Sequence, residues 1–258
     1  LYSVAEKRFD TVLEELVAEL DLLKLPWTAD QSGPKGSIAQ KMFGAVADSE
    51  VFVTPMAAVA GAVADEMLET MLVEAKKPDS CIDHLRKIYV NNGGDIAFWL
   101  NEGESFSIGV VDNPQIPELN AKVSLAHESQ VRGIATSGWR GRSLSLGIAD
   151  AVTVLAKSAA VADVAATLIA NEVIVDFPGI EKRPASEVKD DSDLGMIPVT
   201  VVVPDLAEDK ISMALEQGAK TARKFIKAGK ITAAYLSLQK LSLVIENDDK
   251  IERAIINN

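Results

Sequence analysis

Two oxygen-bearing side chains, Asp163 and Thr167, stand four residues apart in an apolar, alanine-rich stretch. In an α-helix this spacing puts both on one face, one turn apart. A carboxylate and a hydroxyl are hard oxygen ligands of the kind that Mg²⁺ binds, with water and phosphate oxygens completing its shell. The alternative is a surface Asp near a helix start, with the Thr hydroxyl bonded back to the carbonyl of residue 163. The apolar neighbours of Asp163 favour a buried carboxylate that needs a partner.

The wider segment around this pair, residues 133–171, contains only five charged side chains. At the charged fraction of the whole chain, 25%, about ten would be expected. The segment is therefore predicted to be buried, and its few charges are the places to look for chemistry.

A second candidate is Asn92-Gly93-Gly94-Asp95, which lies between two β-rich runs. Its glycines permit positive φ and allow backbone N–H groups to approach an anion closely. The alternative is a tight hairpin turn, for which Asn-Gly is the standard signal.

A third candidate is the sequence TSGWRGRS at residues 136–143, which offers hydroxyls, backbone amides, two guanidinium groups and an indole. This set suits the phosphates and ring of a nucleotide. The proposed nucleotide contacts are Thr136, Ser137, Gly138, Arg142 and Ser143. The alternative is a polar surface loop. The sequence has no GxxxxGK[ST], GxGxxG or GxSxG motif.

The elements that must position these residues follow from periodicity and turn signals. Helices are predicted over 4–24 (with a strand possible in its second half), 37–47 (capped by Ser37), 56–75, 158–173 and 205–229. Strands are predicted over 50–55, 87–100, 105–112, 121–135, 197–204 and 230–247. The runs from 87 to 112 suggest an antiparallel meander. Residues 144–155 are ambiguous between strand and helix, and 178–193 are a loop or lid candidate.

A short internal sequence similarity relates AAVAGAVA at 57–64 to AAVADVAA at 159–166. Alanine-rich helices match easily by chance. If this similarity is a true repeat, two α+β halves each present such a helix, with Gly61 and Asp163 at equivalent positions.

Composition excludes several classes of protein. The net charge of −12 argues against nucleic-acid binding. A single cysteine, Cys81, excludes an intrachain disulfide, and two histidines exclude a three-histidine zinc site. No apolar run reaches membrane-spanning length, and no basic-then-apolar leader is visible, so we expect a cytoplasmic protein without a membrane partner.

Three blocks, in order, resemble the ApbE-like superfamily, whose best-known members are FAD:protein FMN transferases. MAAVAGAVADEML at 56–68 is similar to that family's AKGYAVD-type helix, and VNNGGDI at 90–96 to its VNLGGDI. The third block, from ATSGW to ADVAATL, is similar to its ATSG…HIID…VTV…ADALAT. The closest similarity is to an uncharacterised bacterial and archaeal branch that also carries PMAAVAGA.

The resemblance implies a single α+β domain over residues 1–258, of the duplicated T-fold type, with antiparallel sheets backed by helices and a nucleotide pocket between two halves. It implies that Asp163 and Thr167 bind Mg²⁺ with a backbone carbonyl near Val59. The metal would polarise an FAD pyrophosphate so that FMN passes to a protein Thr or Ser hydroxyl. Further pocket residues by resemblance are Met56, Gly61, Asn92, Gly93, Gly94 and Asp95.

Two departures from the transferase pattern matter. Gly147 aligns with the histidine near the reacting phosphate, and Ala60 replaces the lysine of AKG. Arg142 and His127 are the candidates to replace that histidine.

Three functions therefore stay open: an Mg²⁺-dependent FMN transferase, a non-catalytic flavin or metabolite carrier, and an enzyme of another class in the same pocket. A flavin nucleotide, an acceptor protein and a second copy of the chain are the expected partners.

Overall fold

The computed structural model describes residues 1–78, 85–111, 119–246 and 255–257. The helices are α1 (Tyr2–Ala18), α2 (Leu20–Leu23), α3 (Ser37–Val46), α4 (Val59–Ala75), α5 (Ala159–Asn171), α6 (Ala185–Val188) and α7 (Glu208–Lys227), with a 3-10 turn at Pro55–Ala58. The strands are β1 (Lys87–Asn92), β2 (Asp95–Leu100), β3 (Ser105–Val110), β4 (Ala121–Ala126), β5 (Gly133–Ser137), β6 (Ala151–Ala156), β7 (Glu181–Pro184), β8 (Pro198–Val202), β9 (Ala233–Leu238), β10 (Leu241–Glu246) and β11 (Ile255–Asn257). Helices combined with antiparallel sheets are what the sequence predicted.

The chain forms two compact units whose segments alternate along the sequence. Unit 1 comprises Leu1–Ser105, Ala126–Ala135 and Ala156–Val164. Unit 2 comprises Phe106–Leu125, Thr136–Leu155 and Ala165–Asn258. In the described part of the chain, no helix has both the length and the apolar character needed to cross a lipid bilayer.

Unit 1 is built on α4, which packs against α1, α3 and the β1–β2 hairpin. Its apolar contact with the hairpin includes Ala64, Leu68 and Ala97. On the opposite side, the buried Glu66 carboxylate accepts hydrogen bonds from Arg8 Nε at 3.0 Å, Ser37 Oγ at 2.7 Å and Lys41 Nζ at 2.8 Å. Since α1 and α3 supply these donors, Glu66 of α4 links these three helices through hydrogen bonds and ion pairs.

The β1–β2 hairpin is closed by Gly93 and Gly94, whose φ angles are 72° and 116°. Positive φ at both central residues fits the two-residue turn that matches strand twist. β2 then pairs antiparallel with the start of β5 at Ile96 and Ala97.

Unit 2 contains the antiparallel strands β6, β9 and β10, covered by α7. The buried positions of α7 recur every three or four residues, among them Ile211, Leu215 and Ala222, so one stripe faces the sheet. β7 pairs with β8, and β4 lies between β3 and β11.

Several sequence predictions about elements are wrong. Residues 50–55 form no strand, although their side chains favour one. Their backbone pairs with no neighbouring strand, and Pro55 begins the 3-10 turn. β3 does not extend the β1–β2 hairpin into a meander, since it pairs with β4. Ser37 is not the cap of α3: Gly36 holds that position, and the Ser37 hydroxyl donates to Glu66.

Two further segments are now defined. In the ambiguous run 144–155, β6 begins only at Ala151, and the preceding residues are neither helix nor strand. The lid candidate 178–193 contains β7 and α6, so much of it is ordered by pairing with β8. Cys81, Asp112 and Asn247 lie outside the described residues.

Candidate functional site

The N-terminal ends of α4 and α5 approach each other within unit 1. A Cβ atom placed on Gly61 would lie 2.3 Å from the carbonyl oxygen of Ala159. No real side chain tolerates that distance, so only glycine allows the two helix ends to come this close.

Each of these helices donates its free N–H groups to a carboxylate on the other. Asp65 of α4 accepts hydrogen bonds from the backbone N–H groups of Ala159 and Ala160, both at 2.9 Å. Asp163 of α5 accepts one from the N–H of Gly61 at 3.0 Å through Oδ2. The first N–H groups of a helix have no partner within it, and this exchange satisfies two of them in α5 and one in α4.

This exchange gives a second way to align the two alanine-rich helices. It relates Gly61 to Ala159 and Asp65 to Asp163, and it superposes the identical tetrapeptides AVAD at 62–65 and 160–163. The hydrogen bonds thus match Asp65 with Asp163, one helical turn away from the pairing of Gly61 with Asp163 that was predicted if the similarity is a true repeat. Asp65 is the site residue that the sequence reasoning missed, and the repeated AVAD is the signal that identifies it.

The double-glycine turn is tied to the same junction. Asn92 Nδ2 donates to the carbonyl oxygen of Ala60 at 3.1 Å, and Gly94 N–H donates to Asn91 Oδ1 at 2.9 Å. Asp95, the last residue of the turn, is 8% exposed and close enough to Asp163 for the two carboxylates to repel each other. The structure thus brings together Asn92, Asp95, Gly61 and Asp163.

The electrostatics of this junction are unfavourable for a bare carboxylate. Desolvation raises the pKa of Asp163 well above its usual value, and the charges of Asp95 and Asp65 raise it further. The N–H groups of Gly61 and Ala60 oppose this rise without cancelling it. Desolvation also raises the pKa of Asp65, against the N–H groups of Ala160 and Ala159.

Two more residues of the predicted site, Thr167 and Met56, lie close to this junction along the chain. Thr167 follows Asp163 by one turn of α5 and is half-buried, as is Met56 in the 3-10 turn. Within the described ranges, no three His, Cys, Asp or Glu side chains are grouped so that they would hold a metal on their own. A cation here would need hydroxyl, carbonyl, water or ligand oxygens as well.

The loop at 136–143 belongs to unit 2 and is organised around Asp150. Asp150 Oδ1 accepts from Trp139 Nε1 at 3.0 Å and from Arg140 Nε at 2.6 Å, and Oδ2 accepts from the N–H of Gln239 at 2.5 Å. The Arg140 guanidinium lies 4.5 Å from the centre of the Trp139 ring. Arg140 and Trp139 are therefore held by the fold.

The predicted contacts in this loop have different surroundings. Thr136 Oγ1 lies 2.8 Å from Thr153 Oγ1, and a Cβ on Gly138 would lie 2.2 Å from the Asp150 carbonyl oxygen. Ser137 is half-buried. Arg142 and Ser143 are exposed.

Comparison with known proteins identifies the family. Residues 1–253 match the family described as "AbpE bacteria". The chain belongs to this family. It is also similar to the UPF0280 protein of Methanopyrus kandleri, with 34% identity over 58% of this chain and 56% of that protein. The UPF0280 protein of Methanothrix thermoacetophila is 34% identical over 64% of this chain and 65% of its own length.

The chain thus spans between about half and two thirds of the length of these curated relatives. Their names state no substrate or activity.

Two positions bear on a catalytic histidine in this family member. His127 Nδ1 lies 2.8 Å from the carbonyl oxygen of Leu100, at the opposite end of β2 from Asp95. A six-residue strand separates the two ends by roughly 17 Å. At Gly147, a Cβ would lie 2.0 Å from the Ala170 carbonyl oxygen, so the backbone there leaves no room for any side chain.

A groove of about 660 Å³ in unit 2 contains none of the predicted site residues. It is lined by Ile174, Phe177, Ile180, Lys182, Met213 and Gln217, among others. Its walls are mostly apolar and exposed. This groove therefore gives no support to the predicted nucleotide site.

Proposed function

We propose that this protein binds a flavin nucleotide, FAD or FMN, together with Mg²⁺, using the junction of Asp163, Asp95 and the N-terminus of α4. The observation that supports this most strongly is the Asp163 carboxylate. It is desolvated and repelled by a second carboxylate, and within the described ranges it forms no ion pair with a Lys, Arg or His side chain. A divalent cation would remove that imbalance.

The residues present fit Mg²⁺. The candidates to hold it are the Asp163 carboxylate, the Thr167 hydroxyl and a backbone carbonyl near Val59, all of them hard oxygen donors. Mg²⁺ usually keeps several waters and phosphate oxygens, so a small protein ligand set suffices. When bound, the ion would neutralise and polarise the pyrophosphate.

The chain's own groups would orient this site. The N–H of Gly61 holds Oδ2 of Asp163, and Asn92 holds the double-glycine turn against α4. Further contacts to the nucleotide are proposed for Met56, Gly93 and Gly94, and for Thr136, Ser137, Gly138, Arg142 and Ser143 in the loop. The resemblance to FMN transferases adds a reaction: the oxygen of an acceptor Ser or Thr hydroxyl would bond to the FMN phosphorus of FAD as the pyrophosphate P–O bond breaks. AMP would leave, and the hydroxyl proton would pass to water or to the leaving phosphate.

A non-catalytic carrier for a flavin or a related metabolite is the second candidate, and Gly147 favours it. The backbone at Gly147 excludes the histidine that the resemblance places near the reacting phosphate. His127 hydrogen-bonds the carbonyl of Leu100, at the far end of β2 from Asp95. Arg142 is always protonated, so it can stabilise charge but cannot accept a proton.

The test is a calorimetric titration of the purified 258-residue chain with FAD, with and without Mg²⁺. We expect binding that requires Mg²⁺ and weakens at least about tenfold in Asp163→Asn, since the isosteric amide removes the ligand charge. Asp209→Asn is the matched control, because Asp209 is an exposed carboxylate in the first turn of α7. Failure of the native chain to bind FAD, FMN or an adenine nucleotide would remove both candidates.

Product analysis then separates the two candidates. The chain is incubated with FAD, Mg²⁺ and candidate acceptor proteins, and AMP and covalently bound flavin are measured. Formation of both products supports the transferase. Mg²⁺-dependent binding without either product supports the carrier.

The raised pKa of Asp163 sets the pH dependence of the first experiment. Because Mg²⁺ requires the ionised carboxylate, binding releases a proton and strengthens as the pH rises. Affinity that is independent of pH from about 5 to 8 would mean that Asp163 is not a ligand.

A further inference from the structure

The groove in unit 2 is lined by three elements: the segment that joins α5 to β7, β7 itself and α7. Residues within 174–180 come from the joining segment, Lys182 from β7, and Met213 and Gln217 from α7. Its volume of about 660 Å³ lies within the range of small-molecule sites in proteins. The groove therefore has room for a ligand of metabolite size.

The apolar part of the lining is mainly aliphatic. Ile174, Val175 and Ile180 come from the joining segment and Met213 from α7, with Phe177 beside them. Ile174 is 43% exposed and Met213 52%, so both side chains meet water in the free protein. An aliphatic ligand that covered them would remove this apolar surface from water, which is favourable.

Lys182 is the cationic group of the lining, and the fold does not neutralise it. Its Nζ donates a hydrogen bond to the backbone carbonyl of Leu146 at 2.5 Å. An ammonium group has three N–H donors, and the other two have no acceptor among the described residues. Within the same part of the chain, no carboxylate forms an ion pair with Lys182.

The surroundings of this ammonium group favour an anionic ligand. Desolvation lowers the pKa of Lys182, because the charged form loses water and gains only a carbonyl dipole in exchange. A carboxylate would supply the missing counter-charge through charge-assisted hydrogen bonds, which are stronger than neutral ones. The groove should therefore bind an anion in preference to a neutral molecule of the same shape.

Asp176 is the acidic residue of the lining, and its charge opposes an anion. Its side chain is exposed, so water and salt screen its repulsion. The Lys182 ammonium is partly desolvated, and a lower local dielectric strengthens its attraction. Attraction by Lys182 should therefore outweigh repulsion by Asp176.

We propose that the groove of unit 2 binds a small aliphatic carboxylic acid, with its chain against Ile174, Ile180 and Met213 and its carboxylate on the Lys182 ammonium. Gln217 adds an amide to the same lining. None of these residues is proposed to contact flavin or Mg²⁺, so this site and the flavin site can be tested separately.

Calorimetric titration of the purified chain with sodium octanoate measures this binding, and octanamide is the neutral probe of nearly the same shape. We expect octanoate to bind at least about tenfold more tightly than octanamide. Lys182→Gln, which keeps an N–H donor but removes the charge, should abolish that preference, and Lys182→Arg should retain it. Lys227→Gln is the matched control, because Lys227 is an exposed cation in the last turn of α7. A native chain that binds no octanoate up to about 5 mM, or that binds octanamide equally well, overturns the proposal.

Two further variants test the walls of the groove. Met213→Glu places a negative charge beside the ligand and should weaken octanoate binding at least about tenfold. Leu13→Glu is its control, since Leu13 is 72% exposed on α1 in unit 1. Asp176→Asn should leave octanoate binding unchanged or strengthen it by up to about threefold. Weakening in Asp176→Asn, or unchanged binding in Met213→Glu, would overturn the assignment of an anion to this groove.

The flavin site supplies the last comparison. Lys182→Gln should leave Mg²⁺-dependent FAD binding unchanged, and Asp163→Asn should leave octanoate binding unchanged. Displacement of octanoate by FMN, or loss of octanoate binding in Asp163→Asn, would make the groove part of the flavin site and overturn a separate acid site. If octanoate binds through Lys182 while no flavin binds, the flavin proposal fails and the acid site stands.

Discussion

Asp150 in unit 2 and Asp163 in unit 1 are both partly buried carboxylates next to glycine-dependent packing, yet their partners differ. Asp150 is paired with the Arg140 guanidinium and also receives the Trp139 indole N–H and the Gln239 backbone N–H. Asp163 has backbone N–H groups on one side and the carboxylates of Asp95 and Asp65 nearby. One charge is neutralised by the fold, whereas the other is not.

This contrast separates a structural carboxylate from a candidate ligand better than burial does. Glu66 belongs with Asp150: desolvation raises its pKa, but hydrogen bonds from Lys41, Ser37 and Arg8 outweigh this and lower it. The junction of α4 and α5 differs from both regions, because two helix N-termini lie there and Asp163 is repelled by Asp95 and Asp65. Helix starts favour negative charge, but here they do not offset the desolvation of Asp163, whose pKa stays raised.

The largest expected effect comes from Gly61→Ala, which would disrupt the contact between α4 and α5 that positions Asp163. The new methyl group would meet the Ala159 carbonyl, so α4 and α5 must separate and both carboxylates lose N–H partners. We expect a loss of about 3 kcal/mol or more in the free energy of unfolding, measured by urea denaturation. Gly44→Ala in α3, where the Cβ meets open space, should be neutral or stabilising by up to about 1 kcal/mol. Equal behaviour of the two variants would contradict this account of the helix contact.

Asp150→Asn is expected to have the next largest effect. The amide keeps the shape but loses the ion pair with Arg140 and turns a donor group toward at least one of its donors. Destabilisation of about 1–3 kcal/mol should appear in urea denaturation, together with a change in Trp139 fluorescence. Arg140→Gln should reproduce part of the loss. A neutral Asp150→Asn would mean that the loop is not anchored by this carboxylate.

Sequence patterns predicted the parts of this fold that depend on local signals. The Asn-Gly turn and its flanking β-rich runs predicted β1–β2, and alanine-rich runs predicted α4 and α5 within a few residues. Residues 50–55 were wrong because strand propensity does not reveal whether a second strand is available. Pairing of β3 with β4 is a tertiary choice that the spacing of β-rich runs does not encode.

Sequence reasoning identified Asp163 in the candidate site but missed Asp65. Asp163 stood out because it is a lone charge among apolar residues. Asp65 did not, since it lies next to Glu66 in a helix with further acidic residues and so resembled a solvent-facing position. Only the reciprocal hydrogen bonds show that each aspartate binds the N-terminal end of the other helix. The role of Asp150 in holding Trp139 and Arg140 likewise depends on contacts across the loop.

The smallest expected effect has the opposite sign and comes from Asp163→Asn without Mg²⁺. The folded-state pKa of Asp163 lies above its unfolded value of about 3.9, so between these values the folded chain binds the extra proton. Stability from this group is therefore present below the unfolded pKa and is lost as the pH rises through the folded pKa. The amide does not titrate and still accepts the Gly61 N–H, so Asp163→Asn should flatten that decline and stabilise the metal-free chain at neutral pH by on the order of 1 kcal/mol.

Urea denaturation in EDTA from about pH 4 to pH 8 measures this difference, with Asp209→Asn as control. Addition of Mg²⁺ should then stabilise the native chain and not the variant, because only a ligand that binds the folded state shifts the unfolding equilibrium. If Asp163→Asn is instead destabilising to the extent of Asp150→Asn, the Asp163 carboxylate is already neutralised by the fold. The two regions would then be alike, and the argument for a cation at the α4–α5 junction would be lost.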